Sequence, residues 1–244
     1  VQAGPNPEVP FGRPNQPFAD LLHTDLRGKR IGWLADWGGA YPMEPGILDL
    51  CEAGLKVFEA QGAIVEPLPP PFPAEKLWFA WTTLRAMLNA GGMKALYDDP
   101  KKRAQLKPET IWEIEQGQSL GAQAVYEASV IRSRYYAHMA RLFTRFDAVV
   151  LPTAQVWPFP VEWRWPQSIN GVAMDTYHRW MQSVIPATMA GLPTLAAPAG
   201  FTKTGLPVGL QIIGPIQNDM SVLQLGHAYD LASGYSKIRS SLLQ

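Results

Sequence analysis

One cysteine, Cys51, stands among 244 residues. An internal disulfide and a cysteine-built zinc site are therefore excluded, and a reducing, cytoplasmic setting is expected. Neither sign of charge is in excess: 21 Lys and Arg balance 21 Asp and Glu. Without a global field, neither nucleic acid nor an anionic membrane is expected as a partner. No apolar run approaches the roughly 18 residues of a membrane span, and no signal-peptide pattern is present. Histidine is scarce. His23, His138, His178 and His227 offer no pair at the i, i+4 spacing of a helical metal site, so no metal ligands are assigned. The glycines of "ADWGGAYP" lack the G-x-G-x-x-G spacing, and no cofactor is implied. Internal repeats are also missing.

What is abundant is proline and tryptophan, 23 and nine residues respectively. Many prolines imply ordered loops, and many tryptophans imply broad apolar surfaces, in a core or in a pocket. The length suits one or two domains. Residues 1–22 are rich in Pro, Gly and Asn and read as a loop. Residues 23–71 read as a βαβ unit. "KRIGWLA" is a strand. Ile47, Leu48, Cys51, Leu55 and Phe58 recur at helical spacing before Gly62, and "AIVEPL" is the second strand. Such a unit implies parallel strands.

Residues 72–146 read as a helical region. Leu77, Trp78, Trp81, Leu84 and Leu88 mark one face of its first helix, and Gly117 and Gly121 mark breaks. Residues 147–244 hold a buried strand, "DAVVL", then a long aromatic loop, a helix interrupted near Pro186, a hairpin, and a last helix capped by Asn218 or Asp219. The hairpin lies in "LPTLAAPAGFTKTGLPVGLQIIGP". Its two apolar runs suit strands buried on both faces, and Pro207 belongs at a strand start because it lacks an N–H. "GQSLG" matches the G-x-S-x-G nucleophile pattern, but that pattern needs a strand before it and "TIWEIEQ" reads as helix. Ser119 is thus a weak nucleophile candidate, and the adjacent Asp98 and Asp99 read as a solvated loop. His178 is a candidate pocket residue because it follows the aromatic loop. From the residues alone this is an α/β protein without a self-contained catalytic constellation.

Several motifs, in order, resemble the amidase signature family. "GLPTLAAPAGFTKTGLPVGLQIIGP" resembles its C-terminal signature, "FDAVVLPTA" the strand before it, and "DLRGKRIGWLADWGGAYPMEPGILDLCEAGLKVFEAQGAIVEPLPPP" the segment after its catalytic half. The likeness implies a central mixed β-sheet flanked by α-helices, represented here by its C-terminal half. It also implies hydrolysis of a carboxamide through an acyl-enzyme. The family uses a Ser nucleophile, a second Ser and a Lys base, the serines lying in a Gly/Ser-rich run. This sequence has no such run, and its one serine pair is Ser240–Ser241. No catalytic residue is therefore carried over, and a catalytic N-terminal half is the expected partner, with a small-molecule amide as substrate. A homo-oligomer is compatible with this.

The resemblance places the substrate cleft along the loop after "VVLPTA" and the helix before the "GLP" turn. Trp157 and Trp180 are the expected aromatic walls, and Thr153 and Thr188 the polar handles. Two rival readings are a non-catalytic binding module that keeps the aromatic pocket, and an independent hydrolase using Ser119.

Overall fold

A computed structural model describes residues 17–238. The first βαβ unit is β1 (Arg30–Trp33), α1 (Ile47–Ala60) and β2 (Ile64–Pro67), and its strands are parallel, with Arg30 beside Ile64. The periodic residues of α1 form its buried stripe: Ile47, Cys51, Leu55 and Phe58. Just past the helix, Gly62 takes a φ of 89°. This left-handed turn lets the Ala63 N–H donate to the Phe58 carbonyl and sends the chain back along β1.

The helical region that follows comprises α2 (Ala74–Gly92), α3 (Lys94–Asp98), α4 (Pro100–Arg103), α5 (Pro108–Gln118) and α6 (Ala122–Leu142). Leu77, Trp78 and Trp81 are buried as their spacing requires, whereas Leu88 is 66% exposed. At that end of α2 the face turned to α5 runs through Ala86. A Cβ on Gly117 would collide with the Ala86 carbonyl oxygen, so this glycine permits the close crossing of α2 and α5. Asp98 and Asp99 lie at a helix junction, not in an open loop: Asp99 caps α4 by accepting from the Lys101 and Lys102 N–H groups.

The remaining elements are β3 (Ala148–Pro152), β4 (Ser168–Ile169), β5 (Val172–Ala173), α7 (Ile185–Ala190), β6 (Thr194–Phe201), β7 (Pro207–Ile213) and α8 (Asp219–Ser233). The main sheet has the order β2-β1-β3-β7-β6. It is mixed: β3 is parallel to β1, and β7 is antiparallel to both β3 and β6. Every residue of β3 is buried, which explains its unbroken apolar sequence. Helices α1 and α8 pack against β6 and β7, while α2 and α6 contribute to the same apolar core.

Three further expectations need correction. β6 is not buried on both faces. Ala197 and Ala199 are buried, but Thr194, Ala196 and Pro198 are exposed; side chains alternate between the faces of a sheet, and Ala196 and Pro198 line an open cleft. β6 is also an edge strand that pairs only with β7 among the described residues. Pro198 sits beside a bulge on that edge, a place that tolerates the missing N–H. Pro186 does not interrupt a helix; it lies in the first turn of α7, where its ring fits. The break lies earlier, in a 3-10 segment (Arg179–Val184) with non-helical angles at Met181. The aromatic loop also contains the small β4–β5 hairpin, turned by Asn170 and Gly171 at φ 47° and 80°. Asn-Gly is the pair that such two-residue turns favour. Asn218 does occupy the N-cap position of α8, although its side chain makes no capping hydrogen bond. Of the expected loop 1–22, residues 17–22 contain a 3-10 turn (Phe18–Leu21), and the rest lies outside the described residues.

Candidate functional site

β3 ends where its hydrogen-bond ladder with β7 meets Thr153. The Thr153 N–H donates to the Gly209 carbonyl at 2.9 Å, and its hydroxyl donates to the same oxygen at 3.1 Å. A side chain at 209 has no room, since a Cβ would stand 2.8 Å from Thr153 Oγ1 and 3.1 Å from the Ala197 carbonyl oxygen. Beneath this point Cys51 Sγ lies 3.8 Å from the Gly209 carbonyl oxygen. Burial pushes the Cys51 thiol up to about 12, with a smaller contribution from the Glu52 charge.

The chain after Thr153 turns across the end of the sheet and is fastened to residues 42–46. Gln155 Nε2 donates to the Pro42 carbonyl at 3.0 Å, and the Glu44 N–H donates to the Gln155 carbonyl at 2.9 Å. The Trp157 N–H donates to the Glu44 carboxylate at 2.6 Å, and its indole N–H donates to the Pro45 carbonyl at 3.2 Å. Beyond it, Val156, Ile169 and Met174 form a small second core with Phe159, Trp165 and Trp180 packed around it. Phe159 and Trp180 meet edge to face at 5.5 Å between ring centres.

These walls enclose an open cleft of about 510 Å³, lined among others by Thr153, Trp157, Phe159, Trp180, Pro198 and Val208. It lies at the carboxyl end of β3, a usual place for ligands in open α/β sheets. Three of the four expected site residues thus come together. Thr188 does not: it is exposed on α7, and its hydroxyl donates to the Val184 carbonyl at 3.2 Å. The reason is the 3-10 segment at 179–184, which breaks the helical phase relating Trp180 to Thr188. Among the described residues, no Ser, Cys, His, Lys, Asp or Glu lines the cleft. Its side-chain polar groups are the Thr153 hydroxyl and the indole N–H groups. Trp180 Nε1 is buried without a partner among the described residues.

Other candidates lie elsewhere. Ser119 is exposed at the C-terminal cap of α5, where its hydroxyl donates to the Gln116 carbonyl at 2.7 Å. A helix precedes it, so the strained strand-to-helix turn of a nucleophile elbow is missing. His178 is only 3% exposed and lines a separate cavity of about 200 Å³ with Glu113 and Trp112. Burial holds its pKa below the ordinary value; the Glu113 charge opposes this and Arg85 adds to it. Ser240 and Ser241 lie outside the described residues. Among the described residues no three His, Cys, Asp or Glu side chains cluster as metal ligands. At the opposite end of β3, a polar cavity of about 410 Å³ surrounds Lys29 and Asp147, which are already paired at 2.8 Å. Sequence reasoning missed Glu44 and Gly209. The proline-flanked acid of "PMEPG" and the glycine of "GLPVG" were the only local signals for them.

The amidase family model matches residues 3–223. This chain belongs to the amidase family. It is 28% identical along its whole length to a glutamyl-tRNA(Gln) amidotransferase subunit of Chloroflexus aurantiacus, of which it covers 53%. An acylamidase of Rhodococcus erythropolis is 25% identical over 92% of the chain and is 47% covered. Among solved structures, a bacterial aryl acylamidase of the amidase signature enzymes superposes with a TM-score of 0.81 at 27% identity, covering 92% of this chain and 48% of that one. The chain spans about half the length of the curated relatives it matches. The amidase-type mixed sheet flanked by helices is therefore shared with these enzymes, and no helix among the described residues is long and apolar enough to cross a membrane.

Proposed function

We propose that this chain is the pocket-bearing C-terminal portion of an amidase domain, and that it hydrolyses a small-molecule carboxamide together with a catalytic half carrying the family's Ser-Ser-Lys set. One observation carries this reading: a preformed aromatic cleft that holds no nucleophile and no base among the described residues. In acyl-enzyme chemistry a Ser oxygen attacks the carbonyl carbon, the C–N bond breaks, and the amine leaves with a proton; water then releases the acid. The Thr153 hydroxyl cannot start that sequence, since it is bonded to the Gly209 carbonyl and no base adjoins it. What the cleft offers is an apolar wall for an aryl or bulky acyl group. A reducing, cytoplasmic setting accords with the single buried thiol.

The test compares the purified chain with the same chain co-expressed with a Gly/Ser-rich amidase half from its source. The chain alone should show no turnover of an aryl amide. The pair should hydrolyse it and be stopped by a serine-directed phosphonate. Phosphonate-sensitive hydrolysis by the chain alone would overturn the proposal. Tight aryl-amide binding with no turnover by the pair would establish the rival reading, a binding module.

A further inference from the structure

We infer that Glu44 is a positioning residue that fixes Trp157 as the aryl-binding wall of the cleft; this rests on the reading of the cleft given above. Trp157 lies in a loop with no ladder hydrogen bonds of its own, five residues past the end of β3. Its orientation is set from outside. The Glu44 carboxylate accepts the Trp157 backbone N–H at 2.6 Å, and the next residue, Pro45, accepts the indole N–H at 3.2 Å. Main chain and ring are thus held by two consecutive residues. Gln155 locks the same segment from the other side, through Pro42 and the Glu44 N–H. A carboxylate acceptor makes a stronger hydrogen bond than a neutral oxygen. The Trp157 ring lies against Gly46, whose left-handed φ of 88° turns the chain at the start of α1.

An aromatic wall selects well for flat ligands only if its ring is held still, since ordering a mobile ring on binding costs entropy. Glu44 therefore acts on specificity without touching the ligand: it is absent from the cleft lining, whereas Trp157 is part of it.

The experiment uses the full chain labelled at tryptophan nitrogen, with the Trp157 resonances identified by their loss in Trp157→Phe. In Glu44→Ala, amide exchange at Trp157 should rise about 10-fold or more, as expected for losing a hydrogen bond to a charged group. Glu44→Gln, which keeps an acceptor, should stay within about 3-fold of the parent. Should Glu44→Ala not fold, Glu44→Asp retains the charge but withdraws the oxygen by one methylene, and should behave as the alanine variant does. Phenylacetamide should shift the Trp157 indole signal in the parent and in Glu44→Gln, and bind several-fold more weakly to Glu44→Ala. Unchanged exchange, or phenylacetamide binding that ignores Glu44, would overturn the inference. Glu44-dependent binding in a chain whose paired form never hydrolyses an amide would sink the catalytic reading and leave the role of Glu44 standing.

Discussion

The Gly209 carbonyl oxygen accepts both the backbone N–H and the hydroxyl of Thr153, at 2.9 and 3.1 Å. This pair of hydrogen bonds joins the end of β3 to β7 and forms one corner of the cleft. It works because residue 209 has no side chain. Gly209→Ala should cost about 1–3 kcal/mol, as overpacking a fitted site does, since a methyl would press on Thr153 Oγ1 and the Ala197 backbone. Urea unfolding should show the midpoint falling with the slope unchanged.

Cys51 sits just below that corner, fully buried, with its thiol pushed up to about 12 mainly by burial. The thiolate is the reactive form. The native chain at pH 8 should therefore resist alkylation by iodoacetamide and react promptly once urea unfolds it. Fast native labelling would show that α1 opens away from the sheet.

The pH dependence of stability should carry a His178 signature. Its folded pKa is lowered, chiefly by burial, from an ordinary value of 6.5. The unfolded chain then binds more protons below that value, so stability is complete above it and declines as the pH falls beneath it. The carboxyls of Glu109 and Asp175, lowered by Arg164 and Arg179 respectively, act in a separate window, below their ordinary values of 4.5 and 3.8. Melting temperatures should drop first between about pH 6.5 and 5. His178→Asn should flatten that first drop and leave the acid limb intact.

Trp157 and Trp180 separate by their surroundings. Both rings are half-buried, Trp157 against the main core and Trp180 against the second, but the Trp157 indole N–H is bonded to the Pro45 carbonyl whereas Trp180 Nε1 is buried without a partner among the described residues. In the enzyme paired with its catalytic half, Trp157→Ala should lower kcat/KM for a phenylacetamide-type substrate by about 1–3 kcal/mol and leave an acetamide-type substrate nearly unchanged. Trp180→Ala should reduce thermal stability as well. Equal losses on both substrates would make the two rings structural only.

The β6 edge, with Thr194, Ala196 and Pro198 exposed, presents unpaired backbone on one side among the described residues. Exposed edges template pairing with other chains. The isolated chain should self-associate in light scattering or bind a hydrophobic dye, and addition of the catalytic half should suppress both. A dye-free monomer would show that the edge is closed by other means.

Local pattern made much of this architecture legible. The stripe of Ile47, Cys51, Leu55 and Phe58, the buried run of β3, the positions of Gly62 and Pro207, and the helices flanking "GQSLG" each depend on neighbours close in sequence. Periodicity, capping and the missing N–H of proline act over a few residues, so these elements, like the missing Gly/Ser-rich run, are readable from short windows. The Asn170–Gly171 turn was equally local, and was hidden only by the length of the loop around it. Long-range contacts set what no short window holds. Trp157 is oriented by Glu44, 113 residues earlier, and the corner at Thr153 depends on Gly209, 56 residues later. Thr188 lies off the cleft because one 3-10 segment breaks the helical phase, and β6 is half exposed because the face carrying Ala196 and Pro198 opens into that cleft. Which face a side chain shows is set by the partner that buries it, and such partners meet only when the sheet assembles.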